Sequence, residues 1–363
     1  AIILVYKYLN RCEGINFMVK ENEADLLNIL KKFAPGTLIR TALDDLMRAR
    51  MGALIVVDQG SLLSIVDGGF RVNTKFSAQK LVELAKMDGA IILSEDMKKI
   101  LYANTLLSPD VHIRTKETGT RHKAAERTAR QMDTIVVAVS ERKNKITIYC
   151  GGIRYELENS SEILRRATET LQIMEKQKEM LNELMINFNV LEISGIVTMS
   201  DVCNVLQRIE IIGRVADIVR RYLVELGREG IIVSMRLKEL TRNIERDKRM
   251  VLKDYFRSKS GKIDAALDCM SFDILLETSN ISKELFEESH DKIISPAGFR
   301  LLEKLNLNSE HIELLTNGFE NPENIFEASE EKLKDILKDD ELAHSLKQDL
   351  ENLKEKIVSG KEI

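Results

Sequence analysis

From Leu164 to Phe188, apolar residues fall at alternating intervals of three and four (Leu164, Ala167, Leu171, Met174, Leu181, Met185, Phe188), and Lys178 alone interrupts the seam. Only an α-helix turns at a rate that keeps such positions on one face, and the pattern runs for roughly three heptads. The segment therefore reads as a bundle helix or spine, and its neighbours must pack as helices against that stripe. Upstream, short apolar runs of strand length alternate with amphipathic stretches. The chain changes architecture near Ser160.

Leu26, Leu27, Leu30 and Phe33 recur at helical spacing until Pro35-Gly36 stops them. Leu43, Leu46 and Met47 mark a second helix ending near Gly52, and Ala53 to Val57 is a continuous strand-length run. Asp67-Gly68-Gly69 signals a turn, and Ser77 caps a short helix through Leu84. Ala90 to Leu93 and Ile100 to Ala103 read as strands around the polar turn Ser94 to Lys99. A helix is expected from Gly119-Thr120 to about Met132, followed by strands at Ile135 to Val139, Lys145 to Tyr149 and Ile153 to Leu157. Hairpin-length links demand antiparallel neighbours, and interleaved helices cover the faces. The expectation is an α/β head with a mixed β-sheet flanked by helices.

Further helices are expected over Met199 to Leu226 and Ile231 to Phe256. A small region of short helices opens near Ser295-Pro296 and is punctuated by Asn317-Gly318 and Asn321-Pro322. The expected divisions are an α/β head at 18–159, an all-α spine at 160–292 and a small helical tail at 293–363. Residues 1–17 lack a basic leader or a small-residue cleavage site and read as an extension ahead of a natural start at Met18.

Charge follows these divisions. Residues 1–159 carry 24 Lys+Arg against 19 Asp+Glu, residues 160–292 carry 21 against 23, and residues 293–363 carry 9 against 16. Arg236 to Lys262 alone holds ten basic residues and four acidic ones, a stretch that either attracts phosphate backbones or forms a solvated helix face. The acidic tail works against simple nucleic-acid binding. No apolar run approaches the ~18 residues that span a bilayer. The four cysteines (Cys12, Cys150, Cys203, Cys269) are too scattered for a metal site or disulfide framework, so a reduced, cytoplasmic protein is expected. There is no G-x-x-x-x-G-K-[ST] loop and no G-x-G-x-x-G fingerprint, which removes Walker-type ATPases and Rossmann dehydrogenases. His112, His290, His311 and His344 form no zinc pattern.

Two segments carry chemistry. Glu117-Thr118-Gly119-Thr120-Arg121-His122-Lys123 opens a helix, where free backbone N–H groups and the helix dipole favour an anion. Arg121 adds a planar fork, Lys123 a point charge and His122 a donor or metal ligand. Asp88-Gly89 lies just ahead of a strand, placed to hold Mg²⁺ or Mn²⁺ beside phosphate oxygens or to accept a hydroxyl proton. Taken singly, the first reads equally as a capped helix with solvated charges and the second as a turn.

Together, Met87-Asp88-Gly89-Ala90 and Glu117-Thr118-Gly119-Thr120-Arg121-His122-Lys123-Ala124-Ala125-Glu126 resemble the diadenylate cyclase family. Gly68-Gly69-Phe70 and Ala138-Val139-Ser140 fit it as well. The resemblance covers Met18 to Lys356. The order of head, helical middle and small tail is that of the family's DNA integrity scanning branch. It implies condensation of two ATP into cyclic di-AMP with release of two pyrophosphates. Asp88, Arg121 and His122 are then catalytic, and Asp88 and His122 lie at a Mg²⁺ or Mn²⁺ ion. Gly89 lies against the nucleotide, Leu107 lines the adenosine pocket, and Thr120, Arg121, His122, Lys123 and Ala124 form the phosphate loop. A head-to-head homo-oligomer, an octamer, is implied, with DNA as a partner through a helix-hairpin-helix tail.

Three departures stand out. Lys123 replaces an arginine of the family motif, keeping charge but losing the bidentate fork. Ala124 replaces a hydroxyl residue. In Lys334-Asp335-Ile336-Leu337-Lys338-Asp339-Asp340-Glu341-Leu342-Ala343, carboxylates occupy the place of a glycine hairpin and oppose phosphate binding. The alternative is a nucleic-acid-binding scaffold whose head holds ATP without turning it over. A tail that has exchanged DNA for a protein partner is the third reading.

Overall fold

A computed structural model of the protein describes residues 19–60, 62–257, 259–286, 291–305, 307–319 and 321–361. The expected extension 1–17, Met18 and His290 lie outside the described residues. Two compact units emerge: the residues up to Thr168 together with Arg220–Ser234, and Glu169–Val219 together with the residues from Met235 onward.

In the first unit, α1 (Val19–Lys32) and α2 (Leu38–Arg48) precede an eight-stranded mixed sheet. Its strands are β1 (Ala53–Asp58), β2 (Val66–Asp67), β3 (Phe70–Lys75), β4 (Ala90–Ser94), β5 (Lys99–Leu107), β6 (Ile135–Ser140), β7 (Lys145–Cys150) and β8 (Ile153–Leu157). Helix α3 (Ala78–Leu84) links β3 to β4, and α4 (Thr120–Met132) links β5 to β6. The order is β2-β5-β4-β1-β6-β7-β8, with β3 also on β5. The central pair β1–β4 is parallel, in register from Leu54↔Ala90 to Asp58↔Ser94, and the other pairs are antiparallel.

Strand alternation divides the core. Ile55, Val57, Ile91, Leu93, Val137 and Val139 pack with Phe33, Leu43, Leu46 and Leu81 of α1 to α3 and the loops beside them. Leu54, Val56, Ala90, Ile92, Val136 and Ala138 pack on the opposite face with Ala125 and Ala129 of α4. A central strand buried on both faces must be continuously apolar, which is why β1 was readable as an unbroken run. The edge strand β3 (FRVNTK) is exposed or half-buried along its whole length and carries no such signal. It was not foreseen. Ser77 does cap α3, accepting from the Lys80 N–H at 3.3 Å.

The expected long helices form as α5 (Ser160–Ile193) and α6 (Met199–Leu226). Ala167, Leu171, Met174, Leu181 and Phe188 of the seam are buried, while Leu164 is 37% exposed. The helix expected over Ile231 to Phe256 is instead two, α7 (Ile231–Leu240) and α8 (Ile244–Phe256). Asn243 between them sits at φ 67, in the left-handed region that a short polar side chain tolerates and a continuous helix forbids. After α9 (Ser260–Cys269), α10 (Phe272–Leu275) and α11 (Thr278–Phe286) come the short helices α12 (Phe299–Leu302), α13 (Ser309–Gly318), α14 (Pro322–Glu327) and α15 (Glu330–Leu337). The longer α16 (Asp340–Val358) closes the tail core with Leu346, Leu350, Leu353 and Ile357. Among the described residues no helix is long and apolar enough to cross a membrane.

Candidate active site

Because β1 and β4 run parallel and in register, Gly52-Ala53 at the start of β1 and Asp88-Gly89 just ahead of β4 are neighbours at one end of the sheet, with strands ~4.8 Å apart. The antiparallel strands β5 and β6 reach the same end through Ala90↔Thr105 and Ala53↔Val139. Backbone crowding there is severe. Gly89 has φ +97, and a Cβ on it would fall 2.8 Å from the Thr105 carbonyl oxygen. Gly69, at φ +80, would place one 2.7 Å from the Ala103 oxygen. Both glycines thus lean on one kink of β5, where Asn104 itself has φ 53 and the Thr105 hydroxyl donates to the Ala90 carbonyl at 2.9 Å. Asp88 is exposed on this rim. Leu107 ends β5 as a buried member of the core on the α4 side, while its neighbour Leu106 is 61% exposed.

The mouth of α4 opens toward the same end. Gly119 is the N-cap residue and no side chain caps the helix, so the first-turn N–H groups stay open, and no acidic residue lies in that turn. Thr120 and Arg121 are exposed, and His122, Lys123 and Ala124 are half-buried. The Arg121 Nη1 donates to the Val139 carbonyl at 3.4 Å, and its guanidinium lies so close over Gly52 that a Cβ there would be 2.0 Å from Nη1. The structure therefore brings Arg121 to the rim that carries Asp88 and Gly89. Ala124 packs against the core on the α4 side, which accounts for an apolar residue at that position.

His122 turns the other way. Its ring meets Tyr149 on β7 edge-on, with centroids 6.4 Å apart. The Tyr149 hydroxyl donates to Glu117 at 2.9 Å, and the Arg154 Nε on β8 donates to the same carboxylate oxygen at 2.6 Å. Burial opposes the Glu117 charge, but the hydrogen bonds from Arg154 and Tyr149 outweigh it and hold the carboxyl below its ordinary pKa. Burial, then Glu117, pushes the Tyr149 phenol upward. Burial also lowers the His122 imidazole, with Glu117 opposing and Lys143, Arg121 and Arg154 reinforcing, so the neutral ring is favoured. The strands β1 and β6 lie between β4, which Asp88 precedes, and β7, which His122 faces. Asp88 and His122, expected at one metal, are thus held at strands that β1 and β6 separate. Among the described residues no group of three His, Cys, Asp or Glu side chains is placed to cage a metal. Asp88 alone fits an ion such as Mg²⁺, which takes one or two carboxylates and fills its other positions with water and phosphate oxygens.

Sequence reasoning missed Gly52, whose missing side chain makes room for Arg121, and the Tyr149–Glu117–Arg154 network behind His122. A glycine directly ahead of an unbroken apolar strand was the available signal for the first. The second had none, since its members are spread over a loop and two strands.

An α/β head with an uncapped, cationic helix mouth at a glycine-lined sheet end defines a nucleotide-binding domain. Residues 40–154 match the family model described as DisA bacterial checkpoint controller nucleotide-binding, and residues 157–291 match the DisA bacterial checkpoint controller linker region. The chain is 44% identical over 326 residues to the DNA integrity scanning protein DisA of Acetivibrio thermocellus, covering 87% of this chain and 91% of that relative. It is 41% identical over 349 residues to DisA of Clostridium botulinum strain Loch Maree, covering 94% and 99% respectively. A solved chain, DacA from Staphylococcus aureus, is 26% identical, covering 38% of this chain and 90% of that chain, with a TM-score of 0.28 too low to carry structural weight. The chain belongs to the DisA family of diadenylate cyclases.

Proposed function

We propose that the protein condenses two ATP molecules into cyclic di-AMP with release of two pyrophosphates. The observation that carries this reading is the Arg121 guanidinium resting over Gly52, next to the Asp88-Gly89 turn, at the open mouth of α4. In-line attack of a ribose 3′-hydroxyl on an α-phosphorus needs positioning and charge neutralisation rather than a covalent enzyme intermediate. The first-turn N–H groups of α4, Arg121 and Lys123 would hold the triphosphate, and the Gly89 and Gly69 backbones would let the nucleotide approach β5. Asp88 would hold Mg²⁺ or Mn²⁺, which supplies charge neutralisation at the phosphates and lowers the pKa of a bound hydroxyl. Tyr149 and Glu117 would keep the neutral His122 ring oriented.

The product has two-fold symmetry, so two heads facing each other, each with one ATP, form the simplest arrangement, within a homo-octamer in the cytoplasm. The separation of Asp88 from His122 in one chain supports pairing, because a facing copy can present the group its partner lacks. DNA binding through the tail is the proposed regulatory input. In that tail Lys338 takes the left-handed conformation expected of a hairpin glycine, at φ 55, and Asp339 caps α16 by accepting from Leu342 N–H at 3.0 Å.

Purified protein incubated with ATP and Mn²⁺ or Mg²⁺ is expected to release cyclic di-AMP and pyrophosphate, read by mass spectrometry. A folded protein that binds ATP and yields no product would overturn this reading in favour of a nucleic-acid-binding scaffold with a silent head. Gel-shift titration with branched and linear duplexes tests the tail; absence of a shift would leave it a protein-binding module.

A further inference from the structure

The last turns of α6 belong to the same compact unit as the α/β head, and there Glu225 accepts the Tyr155 hydroxyl of β8 at 2.6 Å. Resting on the cyclase reading above, we infer that Glu225 is a positioning residue for the proposed site. Through Tyr155 it fixes β8, and with β8 the Arg154 that holds Glu117 ahead of α4. No step of the reaction touches Glu225 itself.

β8 needs such an anchor. It ends the strand order and, among the described residues, pairs with β7 alone. An edge strand held by one ladder takes the rest of its position from side-chain contacts. Alternation sends Tyr155 and Leu157 to the face covered by α1 to α3, and Arg154 to the face of α4. Arg154 lies opposite Tyr149 in the β7–β8 register, and both donate to the same Glu117 oxygen. Core packing of Leu157, and the Arg40 bond to the Glu158 carbonyl at 3.0 Å, tie down the end of the strand. Tyr155 is the residue next to Arg154, so its anchor bears most directly on where that guanidinium sits.

Glu225 is committed to this contact. Its second oxygen, Oε2, is shut off from solvent and finds no hydrogen-bond partner among the described residues. Burial, with Glu158 adding to it, raises the carboxyl above its ordinary pKa against the Tyr155 bond and the Arg40 and Arg166 charges. A carboxyl kept in so unfavourable a place, and satisfied through one phenol, serves that phenol. Glu117 precedes the N-cap Gly119 by two residues, so a shift of Arg154 reaches the loop that leads into the mouth of α4.

Hydrogen–deuterium exchange and steady-state kinetics on the full chain test the inference. Tyr155→Phe removes the donor and Glu225→Leu the acceptor, whereas Glu225→Gln keeps an acceptor oxygen. Loss of one hydrogen bond should speed amide exchange about 3–10-fold in β8 and in residues 113–123, with β1 and β4 unchanged. In both variants kcat for cyclic di-AMP should fall about 3–10-fold with KM for ATP unmoved, because Asp88 and Arg121 keep their places. Glu225→Gln should stay within about twofold of wild type, and combining Tyr155→Phe with Glu225→Leu should be no worse than either alone. Four results would each overturn the inference: unchanged exchange at 113–123 in both variants, equal acceleration throughout the head, a loss in KM rather than kcat, or additive losses. Wild-type protein that makes no product would instead sink the cyclase reading, and exchange at 113–123 would still decide whether Glu225 holds the loop.

Discussion

Gly52→Ala is the sharpest probe of the proposed active site. The added Cβ would lie 2.0 Å from Arg121 Nη1 and 2.9 Å from its Cζ. Ordinary contact begins near ~3.5 Å, so the guanidinium must retreat by about 1.5 Å. Arg121 is exposed and can swing outward, abandoning its 3.4 Å hydrogen bond to the Val139 carbonyl. Gly52 is not among the positive-φ glycines, so alanine fits its backbone. Such a substitution stabilises a fold by ~0.4–1 kcal/mol through the unfolded chain. Folding and function should therefore move in different directions.

Misplacing a positioning group by ~1 Å costs up to about 100-fold in rate. For Gly52→Ala a 10–100-fold fall in kcat/KM is expected, about 1.4–2.7 kcal/mol of transition-state stabilisation. The assay is cyclic di-AMP formation from ATP, with the thermal midpoint measured on the same sample. If the loss runs through Arg121, then Gly52→Ala on an Arg121→Ala background should add almost nothing. Wild-type turnover in Gly52→Ala, or full additivity in the double variant, would refute the reasoning.

Asp88→Asn keeps the shape of an exposed side chain and removes its charge; turnover should fall by more than ~100-fold with thermal stability and oligomeric state unchanged, read by product formation and size-exclusion chromatography. Glu117 has a folded-state pKa below its ordinary value, so its stabilising effect is present above about pH 4.3 and is lost as pH falls through the lower folded value. The difference in thermal midpoint between the wild type and Glu117→Gln should accordingly be largest near neutrality and close as the solution is acidified below about pH 4. In the tail, Lys338→Gly relieves a left-handed residue and should stabilise by roughly 0.5–1 kcal/mol, whereas Asp339→Ala removes the α16 cap and should destabilise by about 1 kcal/mol, both by chemical denaturation.

The parts of the fold legible in the sequence were those whose local pattern and tertiary burial agree. β1, β4 and β6 are apolar because both of their faces are covered, and α5 carries its period because one stripe is buried. β3 was invisible because an exposed edge strand needs no apolar residue. The break at Asn243 was invisible because helical spacing continues through it, while the backbone does not. At the site, the resemblance named Gly89 as lying against a nucleotide and Gly69 as part of a matching motif, but their shared dependence on the Asn104 kink in β5 is a register effect. Leu107 illustrates the same limit: strand alternation decides that it faces the core and Leu106 the solvent, and no motif records that alternation.

The division of labour between Arg121 and His122 follows from helix geometry. Consecutive residues on an α-helix project about 100° apart, so the two side chains leave the first turn of α4 in different directions. Arg121 donates to a β6 carbonyl and lies over Gly52 at the start of β1, and His122 settles beside Tyr149 on β7. On the proposed reading, a nucleotide at the Asp88 rim would meet Arg121, which lies over Gly52. If both residues serve one condensation, His122 would act on a different atom of the same nucleotide or on the nucleotide carried by a second head. A reaction that joins two identical substrates into a symmetric ring provides such a second target, whereas a reaction on a single ATP would leave the neutral, Tyr149-backed imidazole without one. Hence Tyr149→Leu, which removes the ring that His122 meets edge-on but leaves Arg121 untouched, should slow cyclic di-AMP formation while ATP binding by each head is retained; parallel losses of binding and turnover would show that His122 serves only the nucleotide of its own chain.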